Sequence, residues 1–423
     1  MTDRTLEVWC FEECAGVLTD AADGLAFRYE DAWRGAGRPP LSQSLPLDGA
    51  FDSGAVSAVF GGLLPEGAQR DVLARRLGIS AGNDFALLEA LGGDTAGALS
   101  LVRPGSRPPA ADIDVEWLTD ADLAELIDEL PARPMHADED GEYRLSLAGV
   151  QDKLPVVVRG DGRIGLTMGR TPSTHILKTP IPGLDDTVAN EALCPVIGRL
   201  LGIDTVAATP RRVNGRDFLL VKRYDREPSD GGTRRLHQED FCQALGISSQ
   251  RKYQSEGGPG LADCFALLRR AVAVPARDVT SLVDVVALNF LVGNHDAHGK
   301  NHSLLYLPDG ARLAPAYDVL STIAYDKTRR MSRKLAMSIG GEYRPDYVRA
   351  RHLDRMLSDA GLGAAATRRR LRGLAERAPE AAHEARAQLA DEGWDLPVTG
   401  RVVEIVERRA GQLADIAGPR VPS

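Results

Sequence analysis

The sequence has few cysteines, few lysines and no long apolar run. Its 423 residues contain five scattered cysteines, at positions 10, 14, 194, 242 and 264. An odd, scattered set does not suit a disulfide framework, so we expect reduced thiols and a cytoplasmic location. No run reaches the roughly 18 apolar residues of a spanning helix, and acidic residues near the N-terminus argue against a signal peptide. We therefore expect no membrane association.

Charge and composition exclude two further classes of protein. The 51 basic and 60 acidic side chains give a net charge of −9, which argues against nucleic-acid binding by the whole surface. Charged residues make up 26% and hydrophobic residues 43%, a globular composition that excludes wholesale disorder. The length suggests about two to four domains.

The pattern along the chain predicts a β-rich part followed by an α-rich part. Residues 5–30 predict short strands, residues 53–102 predict helices, and the proline-rich segment 103–117 predicts a linker. Residues 144–225 predict two hairpins, around Gly160-Asp161-Gly162 and Asn214-Gly215, with the strand THILKTP and the helix DDTVANEALCPVIGRLLGI between them. Beyond residue 240 the period is mostly helical, so the fold class is α+β.

Two segments of the β-rich part could contact phosphates. RLSLAGVQDKLP, at 144–155, places small residues before a hairpin, where backbone N–H groups can face an anion. A plain strand-entry turn is the alternative, and the chain has no GxxxxGK[ST] loop. In THILKTP, Lys178 is followed by Glu191 in the next helix, and such a pair can position nucleotide phosphates. A surface pair is the alternative, and Pro195 predicts a kink near Glu191.

The segment GNHDAHGKNHSLLYL carries the most chemistry. Asp296 and Asn301 are five residues apart, and phosphoryl transfer needs both a carboxylate that accepts a proton and an oxygen ligand for magnesium. A zinc hydrolase using His295, His298 and His302 is the competing interpretation, but Gly299 interrupts the helix that such a site requires. The third interpretation of this segment is a polar loop without function.

A further acid completes the order of a kinase core. Asp318 follows Asn301 by seventeen residues, and the hairpin predicted around Asp309-Gly310 lies between them. A loop with Asp and Asn, then a hairpin, then an Asp is the order in which protein kinases present a base and two magnesium ligands. A capping role at a strand end is the alternative for Asp318.

With these motifs, the chain resembles the HipA family of serine/threonine kinase toxins. SLAGVQDK, THILKTP, VANEALC, LLVKRYDR, HQEDFCQALG, EGGPGLAD, GNHDAHGKNHSL and APAYDVLS occur in the family's order, and LSQSLPL and GLLPEG match the small domain before the kinase. The resemblance implies a protein-kinase-like two-lobe fold with a β-rich N-lobe, an all-α C-lobe and an N-terminal α/β accessory subdomain. We expect the accessory subdomain at 1–104, the N-lobe at 105–240 and the C-lobe at 241–423.

The resemblance also implies roles for individual residues, with ATP and Mg²⁺ as cofactors. Asp296 would be the general base, Asn301 and Asp318 would hold magnesium, and Lys178 would contact the ATP phosphates. Ser146 would be autophosphorylated, and the added charge would switch the enzyme off. The remaining nucleotide contacts would come from the phosphate loop, the hinge backbone and the loop around the base: Ala148, Gly149, Val150, Gln151, Asp152, Lys153, Lys222, Arg223, Tyr224, His298, Gly299, Lys300 and Tyr317.

Partners follow from the same resemblance. A HipB-like helix-turn-helix antitoxin would bind this chain and operator DNA, and the protein substrate would belong to translation. Basic residues after Asp318 could contact DNA or substrate or form a solvated loop: Lys327, Arg329, Arg330, Arg333 and Lys334. A catalytically silent co-repressor that keeps the fold and the antitoxin is the main alternative function, with the zinc hydrolase second.

Overall fold

The computed structural model describes residues 4–48, 51–106, 115–132, 134, 151–167, 171–229, 232–328 and 332–418. The chain forms two compact units. The first contains Met1–Thr179, Arg211–Gln250 and Leu305–Leu307, and the second contains Pro180–Pro210, Arg251–Leu304 and Pro308–Ser423.

The first unit begins with a small α/β layer. Strands β1 (Arg4–Cys10), β2 (Glu13–Ala21), β3 (Gly24–Tyr29) and β4 (Leu99–Val102) form a sheet in the order β3-β2-β1-β4. Helices α1 (Asp31–Gly35), α2 (Ser53–Gly61), α3 (Gly67–Arg76) and α4 (Asp84–Leu91) lie between β3 and β4 in sequence. The alternating burial of β1 and β3 supplies the core, where Phe27 contacts Tyr29 and Phe60.

A second sheet in the first unit carries the predicted phosphate and hinge segments. Its strands are β5 (Val115–Trp117), β6 (Lys153–Val158), β7 (Ile164–Thr167), β8 (His175–Lys178), β9 (Ala208–Val213) and β10 (Arg216–Lys222), in the order β5-β7-β6-β8-β10-β9. Helix α5 (Asp120–Glu129) packs its apolar face into the same core, with Leu123 and Ile127 against Leu154 and Leu177. The strands β11 (Arg226–Ser229) and β12 (Gly232–Arg235) pair as a ribbon, and β13 (His237–Asp240) leads into α7 (Phe241–Ala244).

The second unit is mostly helical. It contains α6 (Thr187–Leu200), α8 (Leu261–Ala271), α9 (Pro275–Val292), α10 (Ala350–Ala360), α11 (Ala364–Asp391) and α12 (Pro397–Ala417). Helices α6, α9, α11 and α12 pack on one another. The strands β14 (Ser303–Leu307) and β15 (Gly310–Leu313) follow the polar loop after α9. None of the described helices is long and apolar enough to cross a lipid bilayer.

Local predictions succeed where turn chemistry is explicit and fail where pairing is distant. The hairpins at 153–167, 208–222 and 303–313 are confirmed. The prediction of helix up to residue 102 is wrong at its end, because Leu99–Val102 is a strand that pairs with β1. The predicted linker is also too long, since Val115–Trp117 pairs with β7. Helix α6 continues through Pro195, whose carbonyl accepts a hydrogen bond from the Thr205 hydroxyl at 2.8 Å.

Candidate active site

Lys178 lies on a central strand of the first unit. The strand β8 is paired on both sides, so that Lys178 lies opposite Lys153 on β6 and Leu219 on β10. Its side chain is 7% exposed, which is uncommon for a lysine and requires compensation by hydrogen bonds or opposite charge. The lysine predicted for the ATP phosphates is therefore a buried side chain on a rigid strand.

The described end of the predicted phosphate loop is tied to the same strand. Gln151 donates through Nε2 to the Thr179 carbonyl at 2.8 Å, and the Thr179 N–H donates to the Asp152 carbonyl at 3.1 Å. Gln69 on α3 donates to Asp152 Oδ1 at 2.9 Å. These contacts fix the start of β6 beside Lys178. The predicted loop residues Ala148, Gly149 and Val150 and the predicted autophosphorylation site Ser146 lie outside the described residues.

The predicted hinge begins at the last residue of β10, and the side chain of its middle residue is buried in the first unit. Arg223 is buried, and its guanidinium donates to Asp225 Oδ1 and Oδ2 at 2.9 and 2.8 Å and to the Ser173 hydroxyl at 2.8 Å. Its backbone N–H donates to the Thr174 carbonyl at 3.0 Å. The Arg223 side chain thus belongs to a buried network of ion pairs, and the adenine contacts of the backbone of Lys222 to Tyr224 stay a prediction.

Asp94 lies at the centre of a buried network of arginines and a serine, and Arg223 is one of its members. Arg226 and Arg235 donate to its Oδ1 at 2.8 and 2.9 Å, and Ser173 donates to its Oδ2 at 2.8 Å. Burial alone would raise the pKa of Asp94, but the neighbouring guanidinium groups hold it well below its usual range. Motif reasoning did not single out Asp94, because it stands in the unremarkable sequence LGGDTAG, 129 residues from Arg223.

The loop with Asp296 begins where α9 ends in the second unit. Gly293 closes the helix with a φ of 71°, and a Cβ there would lie 2.5 Å from Ile323, so the position needs glycine. Asn294 donates to Asn289 Oδ1 at 2.9 Å and accepts from the Asp296 N–H at 3.1 Å. The helix end therefore sets the path of the loop, which leaves the Asp296 side chain exposed.

Asn301 and Asp318 meet in the second unit. Asn301 ends a 3-10 helix, Gly299–Asn301, and its Nδ2 donates to Asp318 Oδ2 at 3.0 Å. Its Oδ1 accepts from the His298 N–H at 3.1 Å. Seventeen residues of sequence thus separate two groups that are in contact. The structure brings together the two residues that the sequence predicts as magnesium ligands.

Asp318 has a strained backbone that its neighbours hold in place. Its φ is 58°, in the left-handed region that a non-glycine residue enters only at a cost. Shortly after it, the Ser321 N–H donates to Asn190 Oδ1 at 2.8 Å, and the Thr322 hydroxyl donates to the Gly293 carbonyl at 3.2 Å. Asn190 on α6 and the end of α9 therefore fix this segment. Motif reasoning gave Asn190 no role, although it lies in the quoted segment VANEALC.

A carboxylate and an amide suit a magnesium ion, which prefers oxygen ligands. In the structure Asn301 directs its amide nitrogen to Asp318, and an amide nitrogen does not bind magnesium; its ligand would be the amide oxygen, which here accepts from the His298 N–H. Tyr317 supports the pair from one side. Its hydroxyl donates to the Lys300 carbonyl at 2.6 Å and lies 2.7 Å from the Ser303 hydroxyl. The donor set fits the predicted metal.

The histidines of the loop do not assemble a metal site. Among the residues that the structure describes, no group of three or more His, Cys, Asp or Glu side chains is arranged to hold a metal ion. His295, His298 and His302 are all buried, and burial lowers the pKa of His302 to about 4. Gly299 starts a 3-10 helix, so His298 and His302 do not share the face of an α-helix. The geometry that the hydrolase interpretation requires is therefore not present.

The fold and this site define a class of protein, and comparison with known proteins agrees. The HipA N-terminal domain model matches residues 6–102, and the HipA-like C-terminal domain model matches residues 145–385. The latter covers more than half of the chain. The chain belongs to the HipA family, as its motifs predict.

Individual relatives extend over nearly the whole length. A putative kinase of Sinorhizobium fredii, Y4mE, is 42% identical over 97% of this chain and 98% of its own. The serine/threonine-protein kinase toxin HipA of Shewanella oneidensis is 33% identical over 90% of this chain and 89% of its own. A solved complex of Shewanella oneidensis HipA, HipB and operator DNA matches with a TM-score of 0.83 and 29% identity, over 97% of this chain and 99% of that one. The predicted fold class and the prediction of a kinase are confirmed.

Proposed function

We propose that this chain is an ATP- and magnesium-dependent protein serine/threonine kinase that acts in the cytoplasm as the toxin of a toxin–antitoxin module. The contact between Asn301 and Asp318 supports this best, because an amide and a carboxylate side by side fit the ion that bridges ATP phosphates. Asp296, five residues before Asn301, is exposed and would accept the proton of the acceptor hydroxyl. Lys178 would contact the ATP phosphates, and the backbone of Lys222, Arg223 and Tyr224 would take the adenine edge.

The proposed domain division follows the same logic. Residues 1–104 would form the accessory subdomain, 105–240 the N-lobe and 241–423 the C-lobe. Gln151, Asp152 and Lys153 would belong to the phosphate loop, together with Ala148, Gly149 and Val150. His298, Gly299, Lys300 and Tyr317 would complete the nucleotide contacts around the metal ligands.

Regulation is proposed to act through Ser146 and through an antitoxin. A phosphoserine carries close to two negative charges at neutral pH, so its formation near the loop would repel ATP phosphates. A HipB-like helix-turn-helix antitoxin would inhibit the kinase and carry it to operator DNA. Support comes from the Shewanella oneidensis relative, which forms a complex with HipB and operator DNA. The acceptor protein in the cell would be a component of translation.

Labelled ATP tests the kinase proposal directly. The purified chain is incubated with γ-labelled ATP and magnesium, and the labelled residue is mapped by mass spectrometry. We expect label on Ser146 and its loss in Asp296→Asn, since a general base contributes about 100- to 10,000-fold to the rate. Asp309→Asn is the matched control, because Asp309 is an exposed carboxylate on the neighbouring β-turn.

The alternatives give different results in the same experiment. A wild-type rate no greater than that of Asp296→Asn would contradict the kinase and favour the silent co-repressor. Stoichiometric zinc in the purified protein, measured by elemental analysis, would favour the hydrolase. Label on another serine with full dependence on Asp296 would keep the kinase and refute the role of Ser146.

A further inference from the structure

Tyr253 contacts the predicted base, and the motif analysis gave it no role. Its hydroxyl donates to Asp296 Oδ1 at 2.7 Å. The distance is that of a strong O–H···O⁻ hydrogen bond. Tyr253 is half-buried and Asp296 is exposed, so the hydrogen bond lies at the protein surface, where an acceptor substrate can approach.

The tyrosine is held from the side of the loop. Its ring meets the His298 ring edge to face, with centroids 5.2 Å apart and planes at 85°. Directly before it, the Lys252 carbonyl accepts a hydrogen bond from the Gly299 N–H at 3.3 Å. The segment with Tyr253 therefore packs on the same loop that carries Asp296 and leads to Asn301.

A second set of contacts holds the segment from the other side. The Gln254 N–H donates to the Ala336 carbonyl at 3.2 Å, and Gln254 Oε1 accepts from the Ser338 N–H at 2.7 Å. Gly258 donates to the Tyr253 carbonyl at 2.9 Å, and a Cβ on Gly258 would lie 2.2 Å from the Arg251 carbonyl oxygen. A tight turn that only glycine can make thus fixes the backbone of Tyr253, so its hydroxyl is placed by the fold.

General base catalysis makes use of such a fixed donor. The base must direct one oxygen at the acceptor hydroxyl within about 3 Å, and misplacement by about 1 Å can cost 100-fold in rate. A fixed donor on Oδ1 restricts the rotation of the carboxylate about its Cα–Cβ and Cβ–Cγ bonds, so that Oδ2 keeps a defined direction for the proton transfer.

We infer that Tyr253 is a positioning residue for phosphoryl transfer, which orients the carboxylate of Asp296 through its hydroxyl. This inference rests on the proposed kinase function. The opposite arrangement, in which the Tyr253 hydroxyl stands where the acceptor hydroxyl binds and so competes with it, predicts an effect of the opposite sign.

Removing one oxygen atom tests the inference. Tyr253→Phe keeps the ring against His298 and removes the hydroxyl that donates to Asp296. We expect its self-labelling rate at saturating ATP and magnesium to fall about 10- to 100-fold, the range that a hydrogen bond to a charged group supports. Affinity for a non-hydrolysable ATP analogue, measured by calorimetry, should be unchanged, as should the melting temperature. Tyr347→Phe is the matched control, because Tyr347 is 55% exposed and loses the same atom.

The outcomes separate the inference from the function on which it rests. If wild type does not exceed Asp296→Asn, the kinase function fails and the inference fails with it. If wild type is active and Tyr253→Phe labels itself equally fast, the inference alone is overturned. A faster Tyr253→Phe would overturn it in favour of competition with the acceptor. A fall in nucleotide affinity or in melting temperature alongside the lost rate would show a structural role instead of positioning.

Discussion

Replacing Asp94 by asparagine should destabilise the first unit strongly. The Asp94 side chain is fully buried, and both of its oxygens accept hydrogen bonds from charged or hydroxyl donors. Asparagine has the same shape but presents an NH2 group in place of one oxygen. In one orientation of the amide its NH2 group faces the N–H groups of Arg226 and Arg235. In the other orientation it faces the Ser173 hydroxyl and the Arg223 guanidinium. Both orientations bring two hydrogen-bond donors together.

The magnitude follows from the burial of the arginines. Arg223 and Arg226 have side chains only 2% exposed, so water cannot replace the lost carboxylate. Removing one partner of a buried ion pair costs about 3 to 5 kcal/mol, because an uncompensated charge remains. For a unit of this size, that corresponds to a fall of about 6 to 20 °C in melting temperature.

The assay is thermal unfolding followed by circular dichroism at several pH values. Since the folded-state pKa of Asp94 is lowered, its contribution is complete above the unfolded pKa of about 4 and is lost as pH falls through the folded pKa. The difference between wild type and Asp94→Asn should therefore be constant from pH 5 to 8 and shrink only in acid. Asp128→Asn is the control, because Asp128 accepts hydrogen bonds from Arg216 through both oxygens but is exposed.

Two results would refute this reasoning. A fall of less than 2 °C at pH 7 would mean that the arginines find other partners. A difference that varies between pH 5 and 8 would mean that another group titrates in its place. Asp128→Asn should leave the melting temperature unchanged, since exposed pairs contribute little.

Three further predictions concern the loop, its helix and a buried acid. Asp318→Asn should keep the fold, because asparagine tolerates a positive φ. It should lower labelling from ATP about 100-fold or more, since Asp318 is the proposed magnesium ligand. Normal activity of this variant would exclude the metal role. Gly293→Ala should have a much lower melting temperature than Gly361→Ala. An added Cβ lies 2.5 Å from Ile323 at position 293, but at position 361 it lies 3.5 Å from the flexible end of Arg269. Equal melting temperatures would contradict this. Burial raises the pKa of Glu239 to about 7 from 4.5, so its stability contribution is complete below pH 4.5 and is lost as pH rises through 7. Between these two pH values the free energy of unfolding of the wild type should fall by about 1.4 kcal/mol per pH unit, and that of Glu239→Gln should not. Identical pH profiles of melting temperature for the two proteins would refute this prediction.

Tertiary pairing decided the elements that sequence patterns missed. Leu99–Val102 contains too few residues for alternation to separate strand from helix, and its partner β1 lies at the other end of the accessory region. Val115–Trp117 follows a proline-rich stretch that predicts a linker. Only the pairing of Val115–Trp117 with β7 makes this segment a strand. In both cases the stabilising contact is distant in the sequence.

By itself, the sequence determined the hairpins, the order of the kinase-like motifs and the family. These depend on local chemistry: Asn214 and Gly215 have φ values of 45° and 80°, as an Asn-Gly hairpin turn requires, and the Asp296–Asn301 spacing lies within one loop. Only the tertiary structure brought Asp94 to the arginines after β10, or the Tyr253 hydroxyl to Asp296, 43 residues away. The physical reason is that an isolated aspartate or tyrosine has no local pattern. Its role arises when burial or a long-range hydrogen bond supplies its partner.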